Sequence, residues 1–185
     1  MRTTGAAHTA SSSTMILLDP DLEPHPAKKA TSAKRTVASA QNKNLRLPSA
    51  HTLARFLSGA QSMVRLCGQV TVLLTTDAAL RKLNRQFLGK NKATDVLSFP
   101  AKGIGAEKIA GDLAISVPTA RKQAFEHGHS LSIEIKVLIL HGLLHLAGHD
   151  HESDAGQMAR RECQLRAKLG LPQGLIERAA KVRQS

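Results

Sequence analysis

The chain contains no tryptophan and no tyrosine, and only four phenylalanines in 185 residues. Modules that read single-stranded RNA by stacking rely on aromatic platforms. The chain is therefore a poor candidate for a pure base-stacking module, and any nucleic-acid binding should be backbone-led and salt-sensitive. Cysteine is equally scarce. Cys67 and Cys163 show no CxxC spacing and read as two buried small hydrophobes in a reducing compartment. Acidic residues are outnumbered, 14 Asp and Glu against 26 Lys and Arg, for a net charge of +12. That balance favours an anionic partner such as nucleic acid, a ribosomal particle or an acidic membrane surface. No apolar run approaches the roughly 20 residues a membrane span needs. The first residues lack the apolar region of a secretory signal. MRTTGAAHTASSST is free of acids and loosely like a transit peptide, yet carries a single Arg.

What is present is enough for one domain with extensions, since hydrophobic residues make up 42% of the chain. Residues 1–14 read as a disordered extension, and Met15 is a second candidate start. Met15-Ile16-Leu17-Leu18 reads as a first strand. Residues 20–44, rich in Pro, Ala, Ser, Thr and Lys, read as a flexible basic insertion. Ser49 can cap a helix with apolar positions at Leu53, Leu57, Ala60 and Val64, ended by Gly68. Residues 69–75 read as a strand. Asp77 is the candidate cap of a second helix, to about Phe87, with Gly89 as its stop. Strands follow at Asp95–Phe99 and Gly111–Val117, separated by a loop at Gly103–Lys108, and a short helix at Thr119–Glu126. Ser130 or Ser132 starts a helix to about Ala147, residues 155–168 form a last amphipathic helix, and 173–185 form a basic tail. The folded region spans 15–172. The expected class is α+β, one small mixed β-sheet packed with helices.

Four of the nine histidines fall in HGLLHLAGHDH, residues 141–151. His141 and His145 are four apart, so a helix puts them on one face, about 6 Å apart along its axis. Both imidazoles can then reach one ion at about 2.0–2.1 Å. Gly148 permits the left-handed turn that folds the chain back and brings His151 toward the same point. Three imidazoles and one open position make a catalytic zinc site, in a cleft at the C-terminal end of the central helix. The His-x3-His-x5-His spacing favours His151 over His149 as third ligand. One class of zinc proteases shares that spacing, but those enzymes place a general-base Glu directly after the first His. Here that position is Gly142, which argues against peptide hydrolysis. Asp150 reads either as a partner holding a ligand ring or as a turn residue. Glu134 lies seven residues before His141, and either orients a ligand or sits at the solvated helix start. His127 and His129 flank Gly128 and read as part of a turn.

From Arg81 to Thr94 the chain carries Arg81, Lys82, Arg85, Lys90 and Lys92 and no acid. Beside a hydrolytic zinc, such a run reads as a patch that tracks phosphates.

HGLLHLAGHDH resembles the signature of the YbeY family, bacterial ribosomal-RNA maturation factors and zinc-dependent endoribonucleases. KATDVLSFP (92–100) resembles the family's second signature, and GDLAIS (111–116) and QAFEHGHS (123–130) fit the segments between. The resemblance covers roughly 70–170. It implies a metal-dependent hydrolase domain with one zinc ion on His141, His145 and His151. It implies cytoplasmic work on the 3′ end of small-subunit (16S) ribosomal RNA and a part in ribosome quality control. Its partners would be ribosomal RNA and the small ribosomal subunit with its proteins, with no membrane and no small-molecule cofactor. The chain departs from the family in two places. The insertion at about 24–44 is longer than usual, and Leu88 stands where the family typically has Arg. Leu88 cannot bind a phosphate, so the RNA-binding side chains expected here are Arg85, Lys90 and Lys92. The expected function is single-strand-specific RNA cleavage, with the 2′-hydroxyl or an activated water as nucleophile. The alternative is an RNA-binding ribosome-assembly factor that does not cut.

Overall fold

The computed structural model describes residues 14–22, 45–101, 108–150 and 154–173. The readings for 1–13, 23–44, 102–107 and 174–185 lie outside the described residues, as does His151. Among the described residues, four strands form one mixed sheet: β1 (Met15–Leu18), β2 (Gln69–Thr75), β3 (Val96–Pro100) and β4 (Ile109–Ser116), in the order β1-β2-β4-β3. β1 and β4 run parallel to β2, and β3 pairs antiparallel with β4 at the edge. Five α-helices surround the sheet among the described residues: α1 (Ala50–Val64), α2 (Asp77–Leu88), α3 (Val117–Glu126), α4 (Leu131–Leu146) and α5 (Gln157–Leu169). None is long and apolar enough to cross a membrane.

Alternation along the strands sorts the side chains onto two faces. Val70, Val72, Leu74, Leu113 and Ile115 face the larger core, filled from the helices by Leu53, Leu57, Ile135, Leu138, Ile139 and Met158. Leu97 and Ala114 face the other way, under Leu80 of α2, with Leu73, Leu83 and Phe99 packed around them. The edge strand β3 thus carries two sets of residues. Val96 packs with the larger core and Ser98 reaches α4, whereas Leu97 and Phe99 serve the α2 side.

The caps explain where the helices begin and end. Ser49 accepts from Thr52 N–H at 3.2 Å and Ser130 from Ile133 N–H at 3.3 Å, as side-chain N-caps do. The second helix is capped by Thr76 rather than Asp77. The Asp77 carboxylate is committed elsewhere, accepting from the hydroxyls of Ser116 and Thr119 and so tying the start of α2 to the end of β4. The first helix stops earlier than Gly68. Arg65 takes a left-handed conformation, φ 65°, and its N–H bonds back to Gln61 and Ser62 carbonyls. The buried Gln61 amide then holds the turn by donating to Leu66 and Gly68 carbonyls. Both cysteines are exposed and unpaired with each other, contrary to their expected burial. Cys67 lies in that turn and Cys163 on the outer side of α5, where its Sγ stands 3.0 Å from Gln173 Oε1.

Helix α4 is apolar on nearly every side, and it is buried on nearly every side. It passes closest to the sheet near its C-terminal end. Gly111 of β4 has φ 146°, and a Cβ there would stand 2.9 Å from Leu146 Cδ2 and collide with the Phe99 carbonyl oxygen. Gly111→Ala should therefore force α4 and β3 apart and lower stability by about 2 kcal/mol or more. Urea denaturation of the purified variant measures this, and a loss below about 0.5 kcal/mol would contradict the packing described.

Candidate metal-binding site at the end of the buried helix

The last two turns of α4 carry the two helical histidines. Between them, Gly142 lies against the sheet: a Cβ there would stand 2.7 Å from Leu113 Cδ2 and 3.3 Å from Ser98 Oγ. The Ser98 hydroxyl donates to the Gly142 carbonyl at 3.4 Å. A side chain at 142 would have to displace the buried Leu113 side chain, so packing disfavours one at the position where a zinc protease carries Glu. With that face pinned, His141 and His145 emerge on another face of α4, both partly buried.

Their rings meet edge to face, centroids 4.8 Å apart, with the two Nε2 atoms at 3.1 Å. On the far side of the first ring, His141 Nδ1 lies 3.0 Å from Glu162 Oε2. A carboxylate there accepts the Nδ1 proton and leaves the Nε2 lone pair pointing at its neighbour. Two nitrogen ligands of one tetrahedral ion bonded at 2.0–2.1 Å lie about 3.3 Å apart, close to the separation seen here. The pair is thus suited in spacing, and His141 in tautomer, to sharing a cation.

Glu162 is itself held from behind. Its other oxygen accepts from the Arg166 guanidinium one turn along α5, and Arg166, with no exposed surface, also donates to the Pro172 carbonyl at 2.8 Å. Burial alone would raise the Glu162 pKa. The hydrogen bond from His141, the charge on that ring when protonated and the Arg166 guanidinium outweigh it, holding the carboxyl below its usual value of 4.5. Sequence reading missed both residues, because a Glu and an Arg on an amphipathic helix read as solvent-facing. The signal was their register: Glu162 and Arg166 fall in line with Met158 and Leu165, the apolar stripe of α5.

The chain turns sharply after His145. Gly148, φ 87°, donates to the His145 carbonyl, and His149 N–H donates to the Leu144 carbonyl, each at 3.0 Å. This is the Schellman ending expected of Gly148. His149 is partly buried and Asp150 exposed just beyond it. Because His151 lies outside the described residues, the third ligand is not placed, and among the described residues no group of three metal-ligating side chains assembles. Glu134 does not sit at a solvated helix start. It is fully buried at the start of α4, its carboxylate against His129 Nε2. His127 and His129 flank the left-handed Gly128 as turn residues.

The basic run lies on α2 and the segment that follows it. Arg81, Lys82, Arg85, Lys90 and Lys92 are all exposed. The Asn84 amide, buried under this segment, donates to the Lys92 carbonyl at 2.8 Å and pins it to α2. Leu88 is 47% exposed. Helix α2 covers the opposite face of the sheet from α4, so the basic residues and the histidines are separated by edge strand β3.

The family model for endoribonuclease YbeY matches residues 30–170. The chain belongs to the YbeY family. Among its relatives, endoribonuclease YbeY of Koribacter versatilis is 54% identical over 133 residues, covering 72% of this chain and 86% of its own. The Solibacter usitatus endoribonuclease YbeY is 55% identical over 126 residues, covering 68% and 83%. A solution structure from Thermotoga maritima is 24% identical with a TM-score of 0.46, and covers 67% of this chain and 88% of its own.

The lowered Glu162 pKa has a consequence for stability, independent of any metal. The folded state binds this proton more weakly than the unfolded chain. The stabilisation is therefore complete above the unfolded value and fades as pH falls through the lower folded value. In metal-free protein at pH 7, Glu162→Gln should lower stability by about 3 kcal/mol, since it leaves the buried Arg166 without its carboxylate. The gap between variant and wild type should narrow as the pH falls below 4.5. Urea melts across that range test it, and a gap independent of pH would refute the assignment.

Proposed function

We propose that this chain is a zinc-dependent endoribonuclease that cuts single-stranded RNA and acts in 3′-end maturation and quality control of small-subunit ribosomal RNA. The observation that carries the reading is the pair of Nε2 atoms 3.1 Å apart, one of them fixed in its tautomer by a buried carboxylate. Membership of the YbeY family and the names of the relatives support RNA as substrate. The net charge of +12 supports an anionic partner such as the small ribosomal subunit, met in the cytoplasm.

In this reading His141, His145 and His151 hold one zinc ion, with a fourth position open. Bound there, the ion supplies Lewis acidity toward a phosphoryl oxygen and a water more acidic than bulk. The protein does the rest. Glu162 keeps the Nδ1 proton of His141 in place, and Arg166 keeps Glu162 ionised and aimed. Gly142 supplies no carboxylate where a peptidase carries its general base. Arg85, Lys90 and Lys92 neutralise flanking phosphates and hold the strand. Leu88 favours a second reading, a factor that binds RNA in ribosome assembly without cutting it, because this exposed apolar side chain replaces the Arg that the family typically carries there.

Cleavage of single-stranded RNA, measured with zinc quantified in the same samples, separates the two. His145→Ala should lose the metal and cleavage together. Glu162→Gln should bind zinc about 10- to 100-fold more weakly while keeping all three histidines. Zinc bound at full stoichiometry with no cleavage by wild type, and cleavage gained by Leu88→Arg, would overturn the nuclease reading in favour of the second.

A further inference from the structure

Four phenylalanines are too few for a stacking module, yet one of them occupies an unusual position. Phe87 falls on the sheet-facing stripe of α2, in line with Leu80, Leu83 and Asn84, but at the last turn of the helix. The residue is 60% exposed. It is also braced: it packs edge to face on Phe99 of β3, with centroids 5.5 Å apart and planes at 68°. A large apolar ring exposed to this degree is not explained by the core.

Its surroundings are cationic. Arg85 precedes it, Lys90 and Lys92 follow it, all are exposed, and no acid occurs between residues 78 and 94. Phe125 is more exposed still, but it sits beside Glu126 on α3, and no ring contact braces it among the described residues. The position of Phe87 relative to the histidines follows from strand geometry. Consecutive residues of β3 point to opposite faces. Ser98 reaches the Gly142 carbonyl beside the histidine pair, and the next residue, Phe99, carries Phe87. β3 therefore lies between α4, which it meets through Ser98, and the braced ring, which it meets through Phe99.

We propose that Phe87 is a base-stacking platform, which seats one base of a single-stranded RNA whose phosphates lie on Arg85, Lys90 and Lys92, so that the strand crosses the β3 edge toward His141 and His145. This rests on the reading of the chain as acting on RNA, but not on zinc or on cleavage. Every base has a π-face, so such a platform adds affinity without sequence preference. The brace from Phe99 holds the ring in place before RNA arrives, which reduces the ordering cost of binding. Asp112 pairs with Phe99 across the strands, but Arg85, Lys90 and Lys92 outnumber it near the ring, which favours RNA over a protein partner.

The test is binding of a short single-stranded RNA carrying 2-aminopurine to full-length protein in excess chelator. Anisotropy is read at several salt concentrations. Phe87→Leu keeps apolar volume on Phe99 but removes the planar ring. It should weaken binding roughly 5- to 150-fold and abolish the 2-aminopurine quenching, with the slope against salt unchanged. Phe87→Trp should restore both, and matching thermal midpoints exclude misfolding. Lys90→Ala with Lys92→Ala should instead flatten the salt slope. Unchanged affinity and quenching in Phe87→Leu would overturn the proposal and leave the Phe87–Leu88 patch to a protein partner. If wild type binds RNA but never cuts it, the nuclease reading fails while this one stands.

Discussion

At Gly142 the central helix lies so close to the sheet that a single methyl group would meet Leu113 at 2.7 Å. That contact fixes more than packing density. A helix has one rotational freedom about its axis, and the contact at Gly142 removes it. Once residue 142 faces Leu113 and Ser98, residues 141 and 145 must emerge together on another side. Gly111 adds a second point of close approach, one turn along at Leu146. Together these two glycines set the rotation and depth of α4, and hence the direction of both imidazoles. The same closeness disfavours any side chain at 142, the position where proteases with similar histidine spacing carry their Glu.

The electrostatics follow from the burial that this packing creates. A neutral imidazole in water has no preferred tautomer strong enough to hold a ligand ready. Behind α4, Glu162 supplies a fixed acceptor on one nitrogen of His141, and Arg166 offsets the cost of burying that carboxylate. The chain from Pro172 carbonyl through Arg166 and Glu162 to His141 links the end of α5 to the candidate site. Helix α5 is therefore part of that site, although none of its residues is placed as a ligand.

Much of the frame was legible in the sequence because local signals agreed with the tertiary outcome. The strands at 15–18 and 69–75, the Ser49 cap and the turn at Gly148 follow from side-chain patterns a few residues long. The failures occurred where a distant residue decided the matter. Asp77 looks like a cap until Ser116 and Thr119 claim its carboxylate, leaving the cap to Thr76. Arg65 ends α1 in a conformation usually left to glycine, since the buried Gln61 amide closes the turn behind it. The site shows the same division. His141 and His145 announce themselves by their spacing, whereas Glu162 comes from a separate helix and is identified only when α5 is seen to dock its Met158–Leu165 face. The exposed ring of Phe87 was hidden for the same reason, since composition counts aromatics without saying which of them the sheet edge leaves uncovered.

The proposed three-histidine site, with one position open, is best tested by X-ray absorption at the zinc edge of purified protein. Such a site gives one zinc per chain with only light ligands, three of them imidazole nitrogens at about 2.0–2.1 Å and one a non-protein oxygen. A sulfur shell near about 2.3 Å, or a closed set of four protein ligands, would contradict it.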